Sequence, residues 1–234
     1  MIESLQPSTS PDPDARHDAP PPATPMAEET LGVAMLLSAA GGFLDAFTWI
    51  AHGHVFANTQ TGNVVLLAVY AAMGEWVQAL RHLPPIIAFV LGVIVARRLQ
   101  AHASRREQRR AALYCLAVEI LFLAVVAVLP RGFADLPVVL GIAFVAALQI
   151  SSFGRVEGWA YNSVMTTGNL RRAAEGLFAD DVTSRRQARV FTIISMTFGI
   201  GAFLGGIVTP HLANTAVVVP ILMLVAAIFW STRR

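Results

Sequence analysis

Thr61-Gly62-Asn63 returns as Thr167-Gly168-Asn169, 106 positions later, and this repetition decides how the chain is read. Each tripeptide follows an apolar span and a short polar loop, and each opens another helix-like segment. The same offset puts Ala40 on Ala146, Phe47 on Phe153, Ile87 on Ile193 and Ala96 on Ala202, and the apolar spans superpose without gaps. Scattered Ala and Ile coincidences are cheap in an apolar chain, so the tripeptide and the matching order of spans carry the signal. A repeat constrains architecture more firmly than any single site.

Composition sets the class. Hydrophobic residues make up 55% of the 234 and charged ones 14%, with a mean hydropathy of +0.59, far from the balance of a soluble domain. Apolar stretches run over 31–51, 83–96, 111–129, 137–153, 190–209 and 213–230. Most approach the ~20 residues that cross a bilayer core; 83–96 needs flanking residues to complete a span. The reading is an all-α polytopic membrane protein, with a membrane domain over 29–234. Residues 1–28 differ: Pro7, Pro11, Pro13, Pro20, Pro21, Pro22 and Pro25 lie among polar and acidic residues. That composition buries too little surface to fold, so a disordered cytoplasmic tail is expected. It has no apolar core of the kind a cleaved signal peptide needs.

The arginines choose the topology. All seventeen basic residues are Arg, and cytoplasmic loops carry the excess of Arg and Lys. If both TGN segments cross, giving eight spans, the two sides hold ten and seven arginines. If neither crosses, giving six, one side holds fifteen and the other only Arg81 and Arg131. Six spans with both termini cytoplasmic are therefore expected. Arg171, Arg172 and Glu175 within 168–178 support this, since each Arg at a bilayer centre costs at least ~2.5 kcal/mol. Three spans beginning inside end outside, so the second copy starts outside and the repeats are inverted. The expected units are 31–98 and 137–209, with further spans at 111–129 and 213–230. Inverted repeats with discontinuous helices are a common plan of transporters.

Thr is a good N-cap, Gly permits tight turns, and Asn supplies an amide that donates and accepts. Two helix N-termini facing each other near the midplane favour an anion or a polar neutral solute. The candidate solute-binding residues are thus Thr61, Gly62, Asn63, Thr167, Gly168 and Asn169. Asp45 and Glu119 join them, because intramembrane carboxyls default to functional hypotheses. Glu119 lies nine residues from the Arg-rich end, about 13 Å along a helix and close to mid-bilayer. Either carboxyl is placed to bind a proton or cation or to pair with Arg155. The competing reading is structural: TGN turns that only cap helices, and carboxyls that are protonated or hydrogen-bonded between helices.

The remaining features read as packing or anchoring. His52 and His54 lack a clear third ligand, so no metal or other cofactor is expected. Cys115 lies alone inside an apolar span, a packing thiol. Trp49, Trp76, Trp159 and Trp230 fall at span ends as interfacial anchors. Gly201-Ala-Phe-Leu-Gly205 is a face for close helix packing, within the protomer or across a homo-oligomer. The cluster Arg97–Arg110 suits lipid headgroups rather than nucleic acid. No phosphate loop, nucleophile elbow, HExxH or CxxC occurs in the sequence, so an enzyme is not expected.

The run Gly41-Gly-Phe-Leu-Asp-Ala-Phe47, followed by a loop ending in Thr-Gly-Asn, resembles the YoaK-like family of bacterial inner-membrane proteins, domain of unknown function 1275. The resemblance covers roughly 31–230. Gly42, Asp45, Phe56, Thr61, Gly62 and Asn63 stand where the family pattern has such residues. The family's usual Met before the first tripeptide is replaced here by Thr59-Gln60; the second copy keeps Met165-Thr166-Thr167-Gly168-Asn169. The resemblance implies a six-span fold in the inner membrane and no established substrate. Two functions remain open: a transporter or channel for a small polar or anionic solute, and a non-transporting scaffold or accessory subunit.

Overall fold

The computed structural model describes residues 30–101 and 104–233; the Pro-rich segment 1–28 lies outside the described residues. The helices are α1 (Leu31–Ala51), α2 (Gln60–Ala72), α3 (Trp76–Arg81), α4 (Leu83–Gln100), α5 (Arg105–Ala127) and α6 (Asp135–Ser152). A two-rung antiparallel ladder of β1 (Arg155–Val156) and β2 (Trp159–Ala160) comes next. Then follow α7 (Thr166–Leu177), α8 (Val182–Leu212), a 3-10 turn (Ala213–Val217) and α9 (Val218–Thr232). The chain is an all-α polytopic membrane protein.

Local chemistry sets the helix ends. Thr30 accepts from the Val33 amide at the start of α1 (3.5 Å). Ser104 and Glu107 close a reciprocal capping box on α5, two orphan donors satisfied together. Asp181 accepts from the Ser184 amide at 2.8 Å, and hydrogen bonding from the Ser184 side chain, with that amide, holds its carboxyl below the usual carboxylate range. Pro210 lies in the last turn of α8, and Ala213 takes the left-handed backbone (φ 48°) where the chain turns into α9.

Among the described residues, five stretches are long and apolar enough to cross a bilayer: Leu31–Ala51, Trp76–Gln100, Arg106–Ala127, Asp135–Ser152 and Val182–Thr232. The short stretch at 83–96 is completed by α3, which precedes α4 after a break at His82. The last stretch has 51 residues and holds both α8 and α9. Large apolar side chains cover the outer surface, among them Val77, Leu121, Val128, Phe203 and Leu222. An apolar exterior is what a hydrocarbon solvent permits.

The core lies among α1, α5, α6, the 3-10 turn and α9, around Phe43, Phe47, Leu116, Leu123, Ile142 and Leu224. α1 packs chiefly on α8, and α6 on α4. Small residues allow the first of these crossings. A Cβ on Gly201 would collide with the Ala39 carbonyl, and one on Gly42 with the Phe198 carbonyl. The Gly201–Gly205 face therefore serves packing within the protomer; at Gly206 an added Cβ would meet nothing within 4 Å.

Candidate functional site

The two TGN segments begin at matching positions, but the threonines do not cap them. α2 starts at Gln60 and α7 at Thr166, so Thr61 and Thr167 are the second residues of their helices. The N-caps are Thr59 and Met165, and neither side chain makes a capping bond. The expectation of Thr as N-cap is corrected: both threonines are exposed, as is Gly168, and Gly62 is half-buried.

The asparagines point inward. Asn63 is fully buried. Its amide donates to the Phe56 carbonyl (2.6 Å) and to Gln60 Oε1 (2.9 Å). Its oxygen accepts from the Phe56 amide (3.1 Å) and lies 3.2 Å from His82 Nδ1, which donates. Asn169 is buried as well, and its amide donates to the Asn162 carbonyl at 2.8 Å. Both asparagines thus lace their own helix to the backbone seven residues upstream.

Asp45 is the organiser of the first loop. Its Oδ1 accepts from the Asn58 amide (2.8 Å) and the Thr59 amide (3.3 Å), and its Oδ2 accepts from the Thr59 hydroxyl. A carboxylate from α1 therefore supplies the negative charge that the N-terminus of α2 attracts. In the second loop the matching amides, Val164 and Met165, donate instead to Asn162 Oδ1 (3.0 and 3.1 Å). The same two orphan donors are satisfied twice by different side chains.

Both loops come back to one point. Asn58 Nδ2 donates to the Gly41 carbonyl at 3.1 Å. Val164, its counterpart 106 positions on, fills the space where a Gly41 side chain would stand. Gly41 is the midpoint of α1, about 15 Å from the helix end at Ala51. Three residues at or next in sequence to these contacts carry a buried polar atom without a hydrogen-bond partner: Asn58 Oδ1, Ser163 Oγ in the residue before Val164, and Ser38 Oγ one turn before Gly41. Buried polar atoms without partners cost about 1–3 kcal/mol each and call for water, an ion or a solute. A cleft of about 510 Å³ opens at the second tripeptide, lined in part by Asn162, Gly168, Asn169 and Arg172.

Glu119 stands apart from that meeting point. It is wholly inaccessible, and neither carboxyl oxygen has a hydrogen-bond partner. With Ala112, Leu116, Leu123 and Val126 it forms the inward stripe of α5. Gln149 of α6 is also buried with its amide nitrogen unpartnered. Neither carboxyl pairs with Arg155, which is exposed and shares a cleft with Arg97 and Arg109. His52 is buried between Asp135 (3.1 Å) and Asn214 Oδ1 (3.0 Å), while His54 meets Trp49 edge to face; the two histidines do not converge. Cys115 is buried and accepts from Ser152 Oγ (3.5 Å).

Sequence reasoning missed Ser38, Gly41, Asn58 and Ser163 as a group. Serines are common in any chain, and only the folded loops reveal that Asn58 and the residue after Ser163 both reach Gly41.

Residues 33–230 match the family described as "Protein of unknown function (DUF1275)". The match spans most of the chain, and the protein belongs to this family. It is also similar to the UPF0700 transmembrane protein YoaK of Bacillus subtilis (strain 168), at 25% identity over 199 residues, which cover 81% of this chain and 88% of the relative. No solved structure matches it.

Proposed function

We propose that the protein is a non-enzymatic transporter for a small polar or anionic solute, with its binding site where the two TGN loops meet α1. The single observation behind this is the convergence on Gly41. Two loops reach the middle of one spanning helix and leave Ser38, Asn58 and Ser163 with unpaired buried atoms. Irregular backbone at membrane depth persists where it is packed in protein or lines a wet cavity, and unpaired polar atoms favour the second.

The architecture in this proposal is six spans in two inverted repeats. Supporting it, α2 and α7 have 13 and 12 residues, about 20 and 18 Å, too short for a ~30 Å hydrocarbon core. The units take in α5 and α9 as their third spans. Exchanging the halves maps the α1–α8 packing onto α6–α4, and α1–α9 onto α6–α5. Side-chain contacts favour six spans over eight. Arg186 pairs with Glu157 at 2.9 Å, and Arg109 donates to the Ser231 carbonyl at 2.7 Å; eight spans would put each pair on opposite sides of the membrane. Grouping the arginines this way leaves only Arg81 and Arg131 at the far end, which supports both termini in the cytoplasm of the bacterial inner membrane.

The test is aqueous thiol labelling of Thr61→Cys and Thr167→Cys, each in a Cys115→Ala background, from either side of sealed vesicles. Labelling of the first from outside and the second from inside is expected. Labelling of both from one side, or of neither, overturns the re-entrant reading. A second reading, a scaffold or accessory subunit, is favoured by the saturated bonding of Asn63 and Asp45. It expects no water access to Ser38 or Ser163 and no flux of any solute.

A further inference from the structure

We infer that the protein binds a small zwitterion, an ammonium and an oxyanion on one apolar body, in the cleft between the α1–α2 loop, α3 and the start of α6. This site is separate from the meeting point at Gly41 and stands whether or not the protein transports. The cleft measures about 340 Å³, within the size range of small-ligand sites. Among the described residues that line it, Asp135 is the acid and Arg81 the guanidinium, while Val55, Val77, Leu80 and Val139 supply apolar walls. The two charged residues lie far apart in the chain, so their meeting is a product of the fold.

The two charges share the cleft without neutralising each other. Asp135 pairs with His52 at 3.1 Å and not with Arg81. Arg131, the other arginine at this end of the bundle, reaches away to the His211 carbonyl (3.5 Å). Opposite charges held apart across an apolar cleft complement a ligand that carries both: each end meets an opposite charge, and the body leaves water. A simple cation would be repelled by Arg81 and a simple anion by Asp135, which gives the site its discrimination.

Both charges stand on anchored backbone. His52 Nδ1 donates to Asp135 Oδ1, since a carboxylate only accepts, and the other ring nitrogen lies 3.0 Å from Asn214 Oδ1. Asn214 is tied in turn to the Leu129 and Pro130 carbonyls (3.3 Å each). A buried ring thus fixes a carboxylate whose own side chain is 53% exposed. The second oxygen, Oδ2, stays open beside Gly53, where an added Cβ would stand 3.4 Å from it. Gly53 lines the same cleft and holds a left-handed backbone (φ 77°), so no side chain covers that oxygen. Arg81 directly precedes His82, a buried ring 3.2 Å from Asn63 Oδ1. Groups fixed before the ligand arrives lower the ordering cost of binding. The shared chemistry is a primary ammonium beside an oxyanion, supplied either by a free aliphatic amino acid or by the ethanolamine phosphate headgroup of a phospholipid.

The experiment uses the full chain in neutral detergent. Thermal unfolding is followed against L-leucine, with leucinamide, which lacks the carboxylate, and N-acetyl-leucine, which lacks the ammonium, in parallel. Retention of phosphatidylethanolamine over phosphatidylcholine, whose quaternary ammonium cannot donate, is measured on the same sample by native mass spectrometry. The variants are Arg81→Gln and Asp135→Asn, with Arg131→Gln for comparison. A saturable response to leucine alone, weakened about tenfold or more by each of the first two variants and not by Arg131→Gln, establishes a free-zwitterion site. Preferential retention of phosphatidylethanolamine that both variants abolish, without a leucine response, establishes a headgroup site. A leucine response shared by the two analogues, a response that Arg81→Gln leaves unchanged, or no response to either ligand overturns the inference. Should Asp135→Asn fail to fold because His52 loses its partner, Arg81→Gln and Arg81→Lys decide: Lys is expected to keep part of the binding and Gln to lose it, and equal binding by both variants and the parent protein overturns the site.

Discussion

Asn63 shows how one side chain can decide a loop. Its amide and oxygen take four partners in a buried place, so removing it strands backbone groups of Phe56 away from water. Asn63→Ala is expected to cost on the order of 3 kcal/mol, read as a lower melting temperature in detergent. Asp45→Ala should cost a similar amount, because the Asn58 and Thr59 amides lose their acceptor. Glu119 behaves in the opposite sense. A carboxyl without partners on an otherwise apolar stripe destabilises the fold, so Glu119→Leu is expected to raise stability by about 1–3 kcal/mol. If flux is lost in the same variant, Glu119 is a coupling group whose stability cost serves function. An unchanged flux would leave it without that role.

At the scale of elements, the α1–α8 crossing depends on missing side chains. Gly201→Leu forces a side chain against the Ala39 carbonyl and should cost about 3 kcal/mol or more, seen as loss of folded protein on size exclusion. Gly206→Leu meets open space and should leave the elution profile unchanged. The short helices differ in kind from the spans. α2 exposes Val64, Val65 and Val69 and suits a position within the hydrocarbon. α7 pairs Arg171 with Glu175 (2.7 Å) on an exposed face and is followed by Phe178, which is 91% exposed. That amphipathic pattern belongs at a membrane surface. Cysteines placed on the exposed face of α7, at Ala174 for instance, should label with polar thiol reagents much faster than cysteines at Val65.

For the whole molecule, the prediction concerns sidedness. Reporter fusions at residue 103 and at the C-terminus should both read cytoplasmic, and a fusion after Arg131 should read external. Opposite readings for residue 103 and the C-terminus would overturn the proposed six-span arrangement, since Arg109 touches Ser231. The interlocking of halves also predicts that neither half folds alone: α1 packs chiefly on α8 and α6 on α4. Separately expressed residues 30–128 should be recovered folded only with the remainder of the chain.

The sequence by itself determined the membrane class, the family and the places where helices start again after each loop, because hydropathy and a doubled motif are properties of the chain in one dimension. It also identified Asp45 and Glu119 as exceptional, since a carboxylate in an apolar span stands out wherever it goes. It could not say that Asp45 would be consumed by three donors while Glu119 found none. Nor could it say that the TGN asparagines would bind their own backbone, or that Asn58 and Val164 would both reach Gly41 in the middle of α1. Those outcomes depend on how far each loop folds back along α1 and which helix lies behind it, and only tertiary packing sets that depth.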